Sequence, residues 1–277
     1  MNKDICNAMT VDVEDYFHVS AFENTINRSD WDKLPVRVEK KTYELVDLFE
    51  KHNVKATFFV LGWVAERYPE LVRKIVDSGH ELASHGYGHE RVTELTPAQF
   101  RQDVDRSKKF LEDLSGVQVK GYRAPSFSIN DSNKWVFDEL KSLGFIYSSS
   151  TYPVKHDLYG VPHWPRFKYQ LDNGLIEIPL TTLKIGQKTL PISGGGYFRL
   201  YPYFLTRFLL NAFHRREQSS GIFYMHPWEM DPDQPRQKGI SAKSAFRHYL
   251  NINRHQRRLE TMLGDFSWGR MDDVFSI

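Results

Sequence analysis

His80-Glu81-Leu82-Ala83-Ser84-His85-Gly86-Tyr87-Gly88-His89 reads as a strand running into a loop, and the fold class turns on that reading. Two histidines four apart would share one face of a helix, but Gly86 and Gly88 disfavour a helix there. The loop then lies at the carboxyl end of a strand, where it can turn both imidazoles toward one cation. That arrangement suits first-row metals, zinc above all. It is not the helix of a zinc metalloprotease, which needs Glu where this chain has Gly86.

Outward from this loop, strand and helix alternate. Toward the N-terminus, Glu66 to Ser78 has helical spacing and stops at Gly79, Ala56 to Leu61 is a buried strand, and Val38 to His52 is a helix ended by Asn53. Residues 19–36 are an irregular excursion rich in turn formers. The first strand spans Ile5 to Val13 and runs into Glu14-Asp15-Tyr16-Phe17-His18. Acids at the end of so apolar a strand are costly to bury, so they need a metal or an arginine as partner.

Toward the C-terminus, Thr96-Pro97-Ala98-Gln99 supplies an N-cap, a Pro at the first helical position and a capping-box Gln. A helix is predicted from there to about Ser115, before Gly116. Val117 to Tyr122 is the next strand, ending at Arg123-Ala124-Pro125, and a helix capped by Asp131 or Ser132 reaches Leu143. Phe145 to Tyr147 leads into three serines, residues 151–173 form a long loop, and Leu175 to Leu180 is a strand. A glycine-rich turn at Gly194-Gly195-Gly196 precedes a helix from Tyr203 to about Glu217. Gly221 to Met225 is a strand that delivers His226-Pro227-Trp228-Glu229, followed by a Pro-rich loop, a long helix from Ser241 to Leu263 and a short strand at Phe266 to Trp268.

Hydrophobic strands alternating with helices predict a parallel sheet covered by helices. Asp12, His85, Arg123 and His226 all fall where a strand gives way to a loop, which is where a β/α barrel or an open parallel sheet gathers its site. Each has an ordinary structural explanation when taken singly. An acid after a strand caps a turn, an arginine makes a surface ion pair, and a histidine packs in the core. Their common position at strand ends of one domain is what makes them a constellation.

Bulk properties set bounds on partners. With 277 residues, 40% of them hydrophobic, the chain suffices for one large α/β domain. A formal charge of +2 is too balanced to argue for a nucleic-acid or membrane-surface partner. The single Cys6 excludes an internal disulfide and reads as a buried thiol. No secretory signal pattern and no run long enough to span a bilayer is present, so the expected location is cytoplasmic. Aromatic content of 14% fits a groove lined with flat rings such as sugars favour.

Four motifs in order resemble a known family. Thr10-Val11-Asp12-Val13-Glu14-Asp15, Ser84-His85-Gly86-Tyr87-Gly88-His89, Tyr122-Arg123-Ala124-Pro125 and Tyr224-Met225-His226 are similar to the motifs of NodB-type polysaccharide deacetylases, carbohydrate esterase family 4. The resemblance covers about Ile5 to Trp228. The stretch Asp12 to Phe17, the Gly194 to Arg199 motif and His226-Pro227-Trp228-Glu229 further resemble the subfamily associated with exopolysaccharide and exosortase loci, whose extra C-terminal segment corresponds to residues 229–277. The fold this implies is a distorted (β/α) barrel of about seven parallel strands, with residues 1–228 as the catalytic domain and the C-terminal helical extension packed on it.

The resemblance also implies roles. His85, His89 and one acid hold a divalent metal, most readily zinc. Asp12 is the base, paired with Arg123, and His226 is the acid. The family's adjacent Asp-Asp is replaced by Asp12-Val13-Glu14-Asp15. Residues two apart in a strand share a face, so Glu14 can join Asp12 in the site, whereas a strand that ends or bulges at Val13 would present Asp15 instead. Both stay open as the third ligand. The oxyanion is assigned to the metal and to a backbone N–H after Arg123. Where many members carry a supporting Asp, this chain has Ser148. Tyr87, Pro125 and Trp228 are the substrate-contacting candidates, with Phe127, Trp164 and Tyr197 as further rings. The expected activity is removal of N-acetyl groups from an amino-sugar polysaccharide or its precursor. Its rivals are hydrolysis of cyclic amides or imides on the same scaffold, and carbohydrate binding without turnover.

Overall fold

The computed structural model describes residues 5–156 and 159–277, so Asp157 and Leu158 of the expected long loop, and the first four residues, lie outside it. The chain opens with strand β1 (Cys6–Val13) and, after three short 3-10 turns, helix α1 (Val38–Lys51). Next come β2 (Thr57–Val60), α2 (Gly62–Arg67), α3 (Pro69–Asp77), β3 (Glu81–Ser84) and α4 (Pro97–Ser115). The expected single helix over 66–78 is thus two helices. Pro69 lacks an N–H and pushes Tyr68 out of helical geometry, at φ −128° and ψ 62°. The Thr96–Gln99 capping box is present, and Gly116 ends α4 at φ +69°, a conformation that costs glycine little.

Then follow β4 (Gly121–Tyr122), α5 (Val136–Ser142), β5 (Tyr147–Ser148), β6 (Tyr169–Gln170) and β7 (Ile176–Glu177). β4 and β7 are far shorter than the sequence pattern suggested, and β6 lies inside the stretch expected to be a loop. A hairpin not expected from the sequence, β8 (Thr182–Ile185) with β9 (Lys188–Pro191), stands apart from the main sheet. The chain closes with α6 (Gly195–Leu200), α7 (Tyr203–Glu217), β10 (Ile222–Met225), α8 (Ala242–Tyr249), α9 (Ile252–Asp265), β11 (Ser267–Gly269) and α10 (Met271–Val274). The glycine turn therefore opens a helix. The long C-terminal helix is two, broken where Asn251 takes φ +51°. No helix among the described residues is long and apolar enough to cross a membrane.

The main sheet runs β10-β1-β2-β3-β4-β5-β7-β6, parallel except for β6, and β11 pairs in parallel with the start of β1. Seven parallel strands along this path, with β11 as an eighth beside β1, curl as a distorted barrel without closing, since β10 and β6 are not joined. Side-chain alternation in β1 separates two faces. Met9, Val11 and Val13 point into the main core, with Phe58, Val60, Leu82 and Phe223 from neighbouring strands. Ala8 joins Phe59, Ala83 and Tyr147 in a smaller cluster on the other face, and Thr10 and Asp12 share its parity. Burial of each large side chain in these clusters is worth about 1.5–3 kcal/mol.

Register sets the site. Val11 lies opposite Met225 and Ser84 opposite Tyr122. One residue further on, Asp12 comes level with His226 and His85 with Arg123. All four emerge at the carboxyl ends of parallel strands.

The C-terminal segment is tied to the same sheet. Met271 N–H donates to Thr57 Oγ1 at 2.8 Å and Asp272 N–H to Glu81 Oε2 at 3.2 Å. Glu81 also accepts from Thr57 Oγ1 and Tyr147 OH, yet burial, helped by the Asp272 carboxylate, pushes its carboxyl up to about 7. A carboxyl raised above its ordinary value of 4.5 contributes stability below that value and loses it as pH rises through 7. Glu81→Gln should therefore match the parent near pH 4 and be more stable at pH 8, by on the order of 3 kcal/mol. Urea unfolding at the two pH values measures this, and a variant that is weaker at pH 8 would contradict it.

Candidate active site

Arg123 is the fixed point of the site. Its side chain is fully buried and its guanidinium lies 4.0 Å over the Phe59 ring. Nη1 donates to Asp12 Oδ1 at 2.6 Å and Thr10 Oγ1 at 2.9 Å, Nε to Ser149 O at 3.1 Å, and Nη2 to Ser149 Oγ at 3.1 Å. A buried ion pair needs such additional partners to offset desolvation, and it locks the carboxylate in one orientation.

The histidine loop is held from beneath. Asp103 accepts the Tyr87 N–H at 2.8 Å and the Gly88 N–H at 3.1 Å, while Arg28 grips the carbonyls of Gly88 and His89. His89 itself sits at φ +53°, an uncommon conformation for a residue other than glycine. His85 Nδ1 lies 2.8 Å from the Arg123 carbonyl. A carbonyl only accepts, so the proton is on Nδ1 and the Nε2 lone pair is free for a ligand. Burial also lowers the His85 ring to about 4, which keeps it neutral.

Glu14 completes a trio. One ligand atom from each of Glu14, His85 and His89 lies within 4.8 Å of the other two, and all three residues are buried. Glu14 Oε2 is 2.7 Å from His89 Nε2, yet it is buried without a hydrogen bond of proper geometry. Burial works to raise the Glu14 carboxyl, but His89 and His226 outweigh it and hold it well below the carboxylate range. An ionised, buried oxygen lacking a hydrogen bond beside two imidazole nitrogens fits a divalent cation, and two nitrogens with one carboxylate leave positions open for water and substrate.

Asp15 is not part of this cluster, which corrects its candidacy as a ligand. The strand ends at Val13, and Asp15 turns away to cap the following 3-10 turn. Its Oδ1 accepts from Tyr16 N at 2.8 Å, and its Oδ2 from Arg37 N at 2.6 Å and Val38 N at 2.8 Å.

Across the site, His226 Nε2 stands 3.4 Å from Glu14 Oε1 and 4.0 Å from Asp12 Oδ2. Burial alone would lower this ring, but Glu14, Glu229 and Asp12 raise it to about 9. Its other nitrogen, Nδ1, is 3.2 Å from Glu229 Oε2. Glu229 is the residue that sequence reasoning missed. The visible signal was a capping-box spacing, His226 at the N-cap and Glu229 at N3 after Pro227. Ser148, at the place of the family's supporting Asp, donates to Ser150 instead.

Asp12, Glu14, His85, His89 and His226 line one cavity of about 180 Å³, walled also by Phe127, Tyr159, Tyr224 and Trp228. Trp228 stacks on His226 at 5.1 Å and donates its N–H toward Glu14 Oε1 at 3.4 Å. Tyr87 and Pro125 are not in that wall. The Tyr87 ring lies under Arg106 and its hydroxyl bonds Glu66 and Arg106, facing away. Pro125 is buried. Of the loop considered for the oxyanion, the Ala124 N–H is committed to Ser150 Oγ at 2.9 Å, and proline carries none. Trp164 and Tyr197 likewise lie outside the wall.

Comparison with known proteins matches residues 29–147 to the polysaccharide deacetylase family. That stretch is a polysaccharide deacetylase domain. Residues 149–276 match a second model, a domain of unknown function, DUF3473. A peptidoglycan-N-acetylglucosamine deacetylase of Bacillus cereus is 32% identical over 99 residues, 35% of this chain and 36% of the relative. A peptidoglycan deacetylase of Helicobacter pylori is 31% identical over 131 residues, 46% of this chain and 44% of the relative. The chain spans less than half the length of the curated relatives it matches. In fold, it superposes with a TM-score of 0.65 on a Mycobacterium smegmatis protein described as a polysaccharide deacetylase, at 23% identity, over 100% of this chain and 90% of that one. Asp12 and Glu14 precede the matched deacetylase stretch and His226 lies in the second one, so the site draws on three parts of the chain.

Proposed function

We propose that the protein is a metal-dependent hydrolase that removes N-acetyl groups from an amino-sugar polysaccharide or its precursor, releasing acetate. One observation carries this reading: the Glu14, His85 and His89 donors, the Arg123-held Asp12 and the His226 ring all border the same cavity. The named activities of the family relatives support it.

Glu14, His85 and His89 would hold the ion, for which zinc suits two imidazoles and one carboxylate. When bound, it supplies Lewis acidity toward the acyl oxygen and lowers the pKa of a water. The chain's own residues do the rest. Asp12 has Oδ1 occupied by Arg123, which leaves Oδ2 to take the proton of the attacking water. His226 Nε2, on the adjacent strand end, gives a proton to the departing amine, so acetate and a free amino sugar leave. Phe127, Tyr159, Tyr224 and Trp228 offer flat apolar surface to the sugar and the acetyl methyl, and they thin the water around the reacting atoms.

The test is acetate release from N-acetylglucosamine oligomers by the purified protein before chelation, after removal of metal with dipicolinate, and after zinc is returned. Activity should vanish on chelation and return with zinc. Full activity in metal-free protein would overturn the reading. Ring opening of small imides, measured in parallel, should be negligible.

A further inference from the structure

The His226 ring is backed by a buried polar chain that leads away from the cavity. Glu229 Oε2 accepts both the His226 backbone N–H, at 3.0 Å, and the proton on His226 Nδ1, at 3.2 Å. Its Oε1 accepts from Arg199 Nε at 2.8 Å. Glu229 and Arg199 are 1% and 2% exposed, so neither carboxylate oxygen has water as an alternative partner. Arg199 Nη1 then donates to the carbonyls of Arg247, His248 and Leu250 at 3.2, 2.7 and 3.0 Å. These lie at the C-terminal end of α8, whose last carbonyls have no helical partner of their own.

Two further features keep this chain in place. A Cβ at Gly195 would fall 1.8 Å from Glu229 Oε2, so the glycine motif leaves the room the carboxylate occupies. Arg258 Nη1 donates to the carbonyls of Phe198 and Arg199, and Asn251 Nδ2 donates to the latter, which pins the Arg199 backbone as well.

We propose that Glu229 and Arg199 are positioning residues that aim His226 as the proton donor, and that this relay is the contribution of the domain of unknown function to the deacetylase site. The inference rests on the deacetylase reading above. A carboxylate on Nδ1 fixes the proton there, turns Nε2 toward the cavity and stabilises the ring when it carries its second proton. Arg199 holds the carboxylate from behind, and the carbonyls that hold Arg199 do not titrate. Every member of the relay, His226 included, lies within residues 149–276.

The experiment compares two substrates on zinc-loaded protein. Amide hydrolysis needs a protonated leaving amine, whereas 4-nitrophenyl acetate expels a phenolate that needs no proton. In Glu229→Gln, the amide group replaces an acceptor with a donor facing Nδ1. We expect kcat on N-acetylglucosamine oligomers to fall by about thirtyfold or more, with KM and ester hydrolysis within about twofold of the parent. Arg199→Lys should show the same split at about tenfold, and it replaces Glu229→Gln should that variant not fold. If neither folds, ring 15N spectra of the parent decide, since a His226 ring without a proton on Nδ1 overturns the relay. Undiminished amide hydrolysis, or equal losses on amide and ester, also overturns it. A parent without acetate release overturns the deacetylase reading itself, a distinct result.

Discussion

Zinc should leave the protein when either imidazole is removed. His85→Ala and His89→Ala are each expected to lower bound metal from about one equivalent per chain to below about a tenth, and to abolish acetate release. The reason is geometric. The trio offers only three donors, so each loss leaves two, Glu14 and one imidazole. The same measurement separates the two acids left open by the sequence. Glu14→Gln should lose metal like the histidine variants. Asp15→Asn should keep it while losing stability by about 1–3 kcal/mol, because an amide cannot accept all three of the backbone N–H groups that the carboxylate now serves. Full metal content after removal of both histidines would end the metal reading.

The second large effect belongs to Asp12. Asp12→Asn preserves the shape of the site and should keep its metal, yet kcat is expected to fall by about a hundred- to ten-thousandfold. Asn can still accept from Arg123 but cannot take a proton from water. It also leaves a wholly buried guanidinium without its counter-charge, so the variant should lose about 3 kcal/mol of stability. Metal analysis, a urea titration and acetate release on one preparation separate these consequences. Turnover near that of the parent would remove Asp12 from the role of base.

The parts of this molecule legible in its sequence are those fixed by neighbours in the chain. Thr96, Pro97, Gln99 and Gly116 determine α4 by capping and by backbone conformation, so both its ends could be read directly. Asp12, His85, Arg123 and His226 were visible because strand ends are local features, and the sheet register then brings them together. The choice between Glu14 and Asp15 was not local. It depends on Arg37 and Val38, more than twenty residues on, whose N–H groups claim the Asp15 carboxylate.

Other misses share this cause. The break between α8 and α9 exposes carbonyls that Arg199 fills from half a hundred residues earlier, and no helical periodicity signals that demand. Glu229 looked like a capping residue and is one, but its distant partner is Arg199. The β8–β9 hairpin is different. Its two-residue turn, Gly186-Gln187 with Gly186 at φ +58°, is a recognised local signal in a stretch assigned no element from the sequence.

The central position of β1 has a consequence for how the molecule matures. It is the first strand of the sheet in chain order, yet β10 pairs along one side of it, and β2, with β11 beside its first residues, along the other. Glu14, His85 and His89 all lie within residues 14–89, whereas the strand that leads into His226 follows more than 130 residues later. On the ribosome, the emerging chain therefore holds this trio long before it holds His226. One flank of β1 also waits for β10, so the nascent chain presents an unpaired strand edge until residues 222–225 have been made.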